Sequence, residues 1–496
     1  MNKLVVMKFG GTSVEDAVAI NRTAGIVRGR IEKGLTPIVV VSAMAKVTDQ
    51  LLAAAAAAGR GDRSGALAIT ARLRSRHKET ATVLLVSEEV KQQTQTVVDH
   101  TQIAPPELAT LLISIDAEFD GLDEVLRGLA AVGELTPRIS DMIVSMGERL
   151  SSRMIAEAFS QRGLNGVHVD ARKCIITDNQ HGKAIPDDAM IEARLKEHVL
   201  PHASEGRTVV MGGFIGSYVA PNAVADDKII TTTLGRGGSD FTAALVGGGI
   251  DAGAIEIWTD VNGIMTTDPR IVPEALRVKT ISFEEAAELA YFGAKVLHPA
   301  TILPAVKKNI PVLVLNSRNP ENEGTRIISL APHCQSPFKS IAAKRKLTII
   351  DVVASRMLMS HGYLKAIFDV FDKHKCAVDM VSTSEVSVSL TVDSNEKLPD
   401  IAADLSKLAD VKYEGRKALI CLVGENIRGQ NGISARVFNA IKHVNVRMIS
   451  QGASEINMSF MIEEDDVEEA IRSLHAEFFA SPDPEIFDVE AVKAAR

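Results

Sequence analysis

The chain has 496 residues, 46% hydrophobic and 24% charged, with a formal net charge of −8 at pH 7. This length exceeds what one core usually serves and predicts roughly three domains. The negative charge and the lack of a sustained basic stretch argue against a nucleic-acid-binding protein. No uncharged apolar run approaches the roughly 20 residues of a membrane helix, and the strand pattern that starts at Leu4 predicts that the chain has no signal peptide. Four scattered cysteines, without paired spacing, predict a cytoplasmic protein with neither a zinc site nor a disulfide framework.

Apolar, β-branched runs alternate with helical patterns through the first 300 residues. The predicted strands are Leu4–Lys8, Pro37–Val41, Val167–Asp170, Thr208–Gly212, Ala254–Thr259 and Pro311–Leu315. Helical periodicity is clearest at 139–162, 187–200 and 239–250, and residues 75–130 are predicted to form a mostly helical lobe. Such alternation predicts an α/β domain with a largely parallel sheet, which binds ligands at the carboxyl ends of its strands.

The first predicted strand ends in a glycine turn, within LVVMKFGGTSV at 4–14, where Lys8 precedes Gly10 and Gly11. Glycine lets the backbone approach a ligand closely, and amide groups at a strand-to-helix turn can bind an anion. Glycines in such turns are often present for steric reasons alone. The lysine beside them favours phosphate binding.

A second glycine turn occurs in TTTLGRGGSD at 231–240, with Arg236 and Asp240 among three glycines. Neither turn is a Walker A loop, and no G-x-G-x-x-G follows a strand, so the common nucleotide-binding folds are disfavoured. Two charged glycine turns in one chain predict an enzyme that handles phosphate.

The segment 316–345 holds three prolines and little periodicity, and it is predicted as a linker after a catalytic domain at 1–315. Two units with the same order of strands and helices follow at 346–415 and 416–485. HKCAVDM at 374–380 parallels HVNVRM at 443–448, so we interpret the units as an internal repeat, either consecutive or interleaved.

Five ordered motifs resemble those of the aspartate kinases: KFGGTSV at 8–14, SMGERLSS at 145–152, TLGRGGSD at 233–240, WTDVNGIMTTDPR at 258–270 and FGAKVLHP at 292–299. The tail, with GYLKAIF at 362–368 and VDMVSTSEVSVSLT at 378–391, resembles the paired ACT regulatory domains of the monofunctional, lysine-sensitive class. The resemblance implies an amino-acid kinase fold, an α/β sandwich with a largely parallel sheet, followed by two ferredoxin-like βαββαβ ACT domains. It also implies ATP-dependent phosphorylation of the L-aspartate side chain to 4-phospho-L-aspartate, the first step toward lysine, threonine and methionine.

A carboxylate acceptor needs no general base, because its reference pKa of about 4 leaves it ionised at neutral pH. Catalysis should then consist of positioning and charge stabilisation. The resemblance implies Lys8 and Asp240 as the catalytic residues. It also implies Mg²⁺ bound mainly through the phosphates of ATP, without a dedicated protein site.

The resemblance further implies three sets of binding residues. The positions matching the family's aspartate site are Ser42, Thr48, Glu148, Arg236, Gly237 and Ser239. Those matching its ATP site are Lys8, Gly10, Gly11, Thr259, Asp260, Met265, Arg270 and Lys295. Those matching its effector pocket are Met357, Ser360, Gly362, Tyr363, Leu364, Val378, Asp379, Ser384 and Glu385.

Several alternatives stay open. Ser42 and Thr48 also suit helix caps, and Glu148 also suits an exposed helix position. Met265 replaces a tyrosine common in relatives, and Met359 replaces a histidine of a lysine-sensitive relative, so lysine is the favoured effector and threonine the alternative. A homodimer through the ACT domains is implied, with a tetramer as the alternative. Other functions compatible with the chain are phosphorylation of another carboxylate, such as glutamate, and non-catalytic amino-acid sensing.

Overall fold

The computed structural model describes residues 3–86, 106–219, 229–292, 299–334, 336–353, 361–393 and 396–489. The chain divides into two compact units, one formed by residues 1–263 with 300–329 and the other by 264–299 with 330–496. The predicted catalytic domain at 1–315 thus contributes one internal segment, 264–299, to the second unit. Within the described ranges, no helix is long and apolar enough to cross a membrane.

The strands lie at short, mostly apolar runs of the sequence. In chain order they are β1 Leu4–Phe9, β2 Thr36–Val41, β3 Gly166–His168, β4 Thr208–Gly212, β5 Ile215–Tyr218, β6 Ile230–Thr233, β7 Ala254–Thr259, β8 Thr280–Ser282, β9 Val312–Asn316, β10 Thr325–Ile328, β11 Phe338–Val353, β12 Val381–Thr383, β13 Ser387–Val392, β14 Asp410–Gly424, β15 Met448–Gln451 and β16 Asn457–Glu463.

The α-helices begin where the chain supplies caps, as at Asp16, whose carboxylate accepts a hydrogen bond from the Ala19 amide at 2.8 Å. In chain order they are α1 Ala17–Glu32, α2 Val47–Gly59, α3 Arg63–Leu85, α4 Pro106–Val132, α5 Pro137–Val144, α6 Met146–Gln161, α7 Asp188–His198, α8 Leu200–Ser204, α9 Gly238–Gly249, α10 Phe283–Tyr291, α11 Leu303–Lys307, α12 Tyr363–Lys373, α13 Leu398–Leu405, α14 Ile433–Ala440 and α15 Val467–Phe478.

The first unit is built on a sheet whose strands run in the order β3-β4-β2-β1-β7-β9-β10. Neighbours from β3 to β9 are parallel, and β10 is antiparallel to β9. The central strands β1 and β2 are almost continuously buried, as expected for a parallel sheet covered on both faces. This architecture confirms the α/β prediction and brings the carboxyl ends of β1, β2, β4 and β7 to one edge.

The helical lobe predicted at 75–130 corresponds to α3 and α4. Its apolar stripe along α4 is buried at Leu108, Leu111, Ile115, Phe119, Leu122, Leu126 and Leu129 and joins the core of the unit. The pattern at 139–162 forms two helices rather than one. Ser145 is both the C-cap of α5 and the N-cap of α6, which begins at Met146.

The second unit contains a six-stranded antiparallel sheet in the order β12-β13-β11-β14-β16-β15. β11 and β14 pair along their whole lengths, and Leu347 lies opposite Lys417 near the centre. Close to this point each strand has one residue with positive φ, Lys346 at 63° and Arg416 at 56°. The first half of β11 lies against the half of β14 that pairs with β16, whereas the second half of β11 pairs with β13. Both strands therefore pass through both repeats, and the two modules are interleaved.

Two predicted boundaries therefore differ from the structure. The segment 316–345, predicted as a linker, contains β10 and the beginning of β11. The predicted division at 415/416 falls inside β14. The prolines and asparagines of 316–337 hide a short strand between turns, and a strand shared by two repeats offers no turn signal at the repeat boundary.

Candidate active site

A cleft of about 430 Å³ lies at the carboxyl edge of the first unit's sheet. Its walls come from the end of β1, the loop after β2, the beginning of α6 and the turn before α9. The lining residues are Lys8, Gly11, Ser42, Ala43, Met44, Ala45, Lys46, Thr48, Asp49, Glu148, Phe214, Gly235, Arg236, Gly237, Gly238, Ser239 and Asp240. The cleft therefore brings together both glycine turns, which are more than 200 residues apart in the chain.

Lys8 and Asp240 form an ion pair in this cleft. Lys8 Nζ lies 2.6 Å from Asp240 Oδ1, and only 12% and 15% of their side chains are exposed. Asp240 is in the first turn of α9, where the helix dipole stabilises a carboxylate. The pair places a lysine ammonium in the cleft that both glycine turns line.

The second turn owes its shape to two glycines with positive φ, Gly235 at 78° and Gly237 at 71°. Gly237 is the N-cap of α9, and no side chain caps this helix end. Amides of an uncapped first turn are suited to bind phosphate oxygens. Arg236 is exposed between the glycines and has no ion-pair partner among the described residues.

The first turn packs tightly against the loop after β2. A Cβ on Gly11 would lie 3.1 Å from the Ala43 carbonyl oxygen, and one on Gly10 would lie 3.6 Å from Lys8 Nζ. The Gly10 amide donates a hydrogen bond to the Trp258 carbonyl at 3.1 Å. Glycine at position 10 thus keeps the space beside the ammonium open.

Ser42 and Ser239 meet across the cleft, with 3.1 Å between their hydroxyl oxygens. Thr48 lies in the first turn of α2 and also lines the cleft. The N-cap of α2 is Lys46, in a left-handed conformation with φ 66°. The helix-cap alternative for Ser42 and Thr48 is therefore wrong.

Glu148 is a buried carboxyl group in the first turn of α6, with 3% of the residue exposed. Desolvation raises its pKa to about 8, and a hydrogen bond from the Ala43 backbone opposes this shift in part. Its Oε2 is buried and has no hydrogen-bond partner among the residues that the structure describes. The alternative of an exposed helix position is wrong, since the Glu148 side chain is buried and lines the cleft.

Sequence reasoning missed Asp141 on α5, a buried carboxylate behind the second turn. It accepts hydrogen bonds from the Thr233 hydroxyl at 2.6 Å, the Gly182 amide at 3.0 Å and His181 Nδ1 at 2.8 Å. Thr233 ends β6, two residues before Gly235, so Asp141 fixes the approach to the glycine turn. No local motif marks this residue.

Phe214 and Lys46 were also missed, although both line the cleft and both have φ near 66°. The Phe214 amide donates to Thr242 Oγ1 at 2.9 Å, and a Cβ on Gly238 would lie 2.7 Å from the Phe214 ring. The Gly212-Gly213 pair at the end of β4 was an available signal for a close backbone approach here.

The predicted nucleotide residues are not all in this cleft. Thr259 ends β7 and Asp260 follows it, next to the end of β1 at the same sheet edge, and neither is among the lining residues. Met265 and Arg270 belong to the second unit. Arg270 is exposed and paired with Asp268 at 2.6 Å. Lys295 lies outside the described residues.

The predicted effector residues lie in the second unit. Gly362, with φ 79°, is the N-cap of α12, whose first residues are Tyr363 and Leu364. Val378 and Asp379 precede β12, and Ser384 and Glu385 lie in the turn between β12 and β13. Met357 and Ser360 are outside the described residues, together with Met359.

Comparisons with known proteins agree along nearly the whole chain. The model of the amino acid kinase family matches residues 3–316, and an ACT domain model matches residues 420–478. The chain is 36% identical over 489 residues to lysine-sensitive aspartokinase 3 of Escherichia coli, covering 97% of this chain and 100% of that protein. It is 35% identical over 488 residues to chloroplastic aspartokinase 2 of Arabidopsis thaliana, covering 96% and 84%.

Two solved structures of E. coli aspartokinase III are similar to this chain, at 34% identity and covering 96% of this chain and 100% of theirs. The complex with aspartate and ADP superposes with a TM-score of 0.77. The complex with lysine and aspartate superposes with a TM-score of 0.78.

Proposed function

This chain belongs to the aspartokinases of the amino acid kinase family, and we propose that the glycine-rich cleft of its first unit is where aspartate is phosphorylated. The family membership confirms the resemblance carried by the sequence motifs. As an aspartate kinase, the chain transfers the terminal phosphoryl group of ATP to the side-chain carboxylate of L-aspartate. The observation that carries the site assignment is the Lys8–Asp240 ion pair at the uncapped end of α9, beside buried Glu148.

The reaction requires charge stabilisation more than proton transfer. An aspartate carboxylate oxygen forms a bond to the γ-phosphorus as the bond to the β,γ-bridging oxygen breaks, which yields 4-phospho-L-aspartate and ADP. Lys8 neutralises charge on the transferring group, and the amides at the glycine turns hold its oxygens. Asp240 orients the Lys8 ammonium through the 2.6 Å contact.

Aspartate recognition uses Arg236 and Glu148, two charged groups of the cleft for which the described residues provide no ion-pair partner. Arg236 offers a planar pair of donors to a substrate carboxylate. Glu148 offers an anionic oxygen to the substrate ammonium, and its pKa falls when that cation binds. Ser42, Ser239 and Thr48 line the same cleft and supply hydroxyl groups for the remaining polar contacts.

We propose that Mg²⁺ binds together with ATP. The cleft carboxylates of Asp49 and Asp240 have the oxygen chemistry that Mg²⁺ prefers, and phosphates and water complete such shells. When bound, the ion neutralises phosphate charge. The residues of the chain hold the substrate and orient Lys8.

Regulation by lysine is proposed for the second unit, through Asp379 in the first of the two modules. At the corresponding repeat position the second module has Arg447, with the opposite charge. A cationic effector therefore suits only the first module. We place the paired modules at the interface of a homodimer, and the enzyme in the cytoplasm.

An aspartate-dependent ADP-release assay, with and without L-lysine and L-threonine, tests the proposal. Aspartate should support turnover and L-glutamate should not, and lysine should inhibit more strongly than threonine. Turnover with glutamate alone would assign a different acceptor. Release without any acceptor dependence would contradict a kinase site in the cleft.

A further inference from the structure

Asp379, which the effector proposal requires as an anion, is already paired with a lysine of its own unit. Lys344 Nζ on β11 lies 2.8 Å from both carboxylate oxygens of Asp379. Only 4% of the Asp379 side chain and 21% of the Lys344 side chain are exposed. An incoming ammonium group would therefore meet an anion whose charge is already neutralised.

A second carboxylate, that of Asp393, also lies within ion-pair distance of Lys344. Asp393 Oδ2 lies 3.2 Å from Lys344 Nζ, and 53% of the Asp393 side chain is exposed. Asp379, Asp393 and Lys344 together carry a net charge of −1, so one additional cation would neutralise the cluster. Lys344 can lose Asp379 and still keep an ion-pair partner.

We propose that Lys344 is an internal competitor of the effector, and that lysine binds by exchange of ion-pair partners. The ε-ammonium of the effector takes Asp379, and Lys344 passes to Asp393. Every charged group then retains an opposite charge, which avoids the large penalty of a buried unpaired ion. This inference rests on the proposed lysine effector and adds the residue that sets its affinity.

The repeat in the second module has the reverse arrangement. Leu347 and Lys417 lie opposite each other in the sheet. Lys344 lies three residues before Leu347, and Glu414 lies three residues before Lys417, so Glu414 is the counterpart of Lys344. Glu414 Oε2 is 3.1 Å from Arg447 Nη1, the counterpart of Asp379. The same two positions form an ion pair in both modules with the charges reversed, so the position of Asp379 carries a carboxylate in the first module and a guanidinium in the second.

Tyr291, the last residue of α10, shares Asp379 with Lys344. Its hydroxyl donates to Asp379 Oδ1 at 3.1 Å, and the Lys344 ammonium lies 5.5 Å from its ring centroid. Burial and the Asp379 charge raise the Tyr291 pKa to about 12, so the phenol remains a donor at neutral pH. In sequence Tyr291 immediately precedes the FGAKVLHP motif at 292–299, which resembles a motif of the family's nucleotide site.

Calorimetric titration of the full chain with L-lysine tests the exchange directly, without an activity readout. Lys344→Met should lower the Kd for lysine by about tenfold or more, the factor expected for one charge-assisted hydrogen bond. Asp393→Asn should raise the Kd, because Lys344 loses its alternative partner. The Kd for norleucine, which lacks the ε-ammonium, should not change in opposite directions in these two variants.

The matched control is Lys417→Met, since Lys417 makes the same two 2.8 Å contacts to Glu463 in the second module. The Kd of the Lys417→Met protein for lysine should stay within about twofold of the wild-type value, a smaller change than the loss of one charge-assisted hydrogen bond produces. A folded Lys344→Met protein whose Kd is unchanged or raised overturns the exchange. If Lys344→Met does not fold, an unchanged or lowered Kd in Asp393→Asn overturns it instead. A wild-type chain that binds no lysine overturns the effector proposal itself.

Discussion

We predict that Glu148 makes aspartate binding dependent on pH, in the direction set by its raised pKa. Its pKa of about 8 means that the carboxyl group is mostly neutral at pH 7 in the free enzyme. A cationic ligand stabilises the ionised form, so binding the substrate ammonium lowers this pKa and releases a proton. Affinity for aspartate should therefore rise as the pH rises toward 8.

The magnitude follows from the fraction of ionised Glu148. With a pKa of about 8, roughly one molecule in thirty is ionised at pH 6.5 and half are ionised at pH 8. The KM for aspartate at saturating ATP should accordingly fall by about 15-fold over this interval, if binding requires the ionised form. Staying at or below pH 8 keeps the aspartate ammonium charged.

Steady-state kinetics between pH 6.5 and pH 8 measure this change. Titrations at pH 7 in two buffers of different ionisation enthalpy count the released proton, with a value near one expected. Glu148→Gln should bind aspartate weakly at every pH and release no proton. A KM that does not vary with pH, together with no proton release by the wild type, would refute the role assigned to Glu148.

Three other substitutions test the remaining roles. Lys8→Ala should lower kcat by about 10²-fold or more without unfolding the protein, because charge stabilisation of the transferring phosphoryl group is lost; a rate within about tenfold of wild type would contradict that role. Arg236→Ala should mainly raise the KM for aspartate, since the lost carboxylate contact exists in ground and transition states alike, and a selective loss of ATP affinity would move Arg236 to the nucleotide site. Asp379→Ala should raise the half-inhibitory concentration of lysine by at least about tenfold, whereas stronger inhibition of the wild type by threonine than by lysine would contradict the pocket assignment.

Local sequence was sufficient wherever a position needs a particular backbone or charge. Gly235 and Gly237 adopt positive φ, and Lys8 follows a run of buried strand residues, so their motifs indicated the two glycine turns of the cleft directly. The alternation of apolar runs and helical patterns predicted the parallel sheet for the same reason: periodicity and turn chemistry are short-range properties.

Other features depend on residues that are distant in the chain. Asp141 reaches Thr233 across 92 positions, and Lys344 reaches Asp379 across 35. Neither pair has a motif, because an aspartate on a helix or a lysine on a strand is ordinary until packing brings a partner to it. The shared strands of the two regulatory modules were hidden similarly, since no turn marks a repeat boundary inside β14.

The sequence by itself determined which turns are rich in glycine and charge, which family the motifs resemble, and which residues carry the charges. Only the tertiary structure decided the state of those charges. Burial raises the pKa of Glu148, and a neighbouring strand supplies Lys344 to Asp379. The physical reason is that desolvation and ion pairing depend on distances in space, which folding sets and which the order of residues does not display.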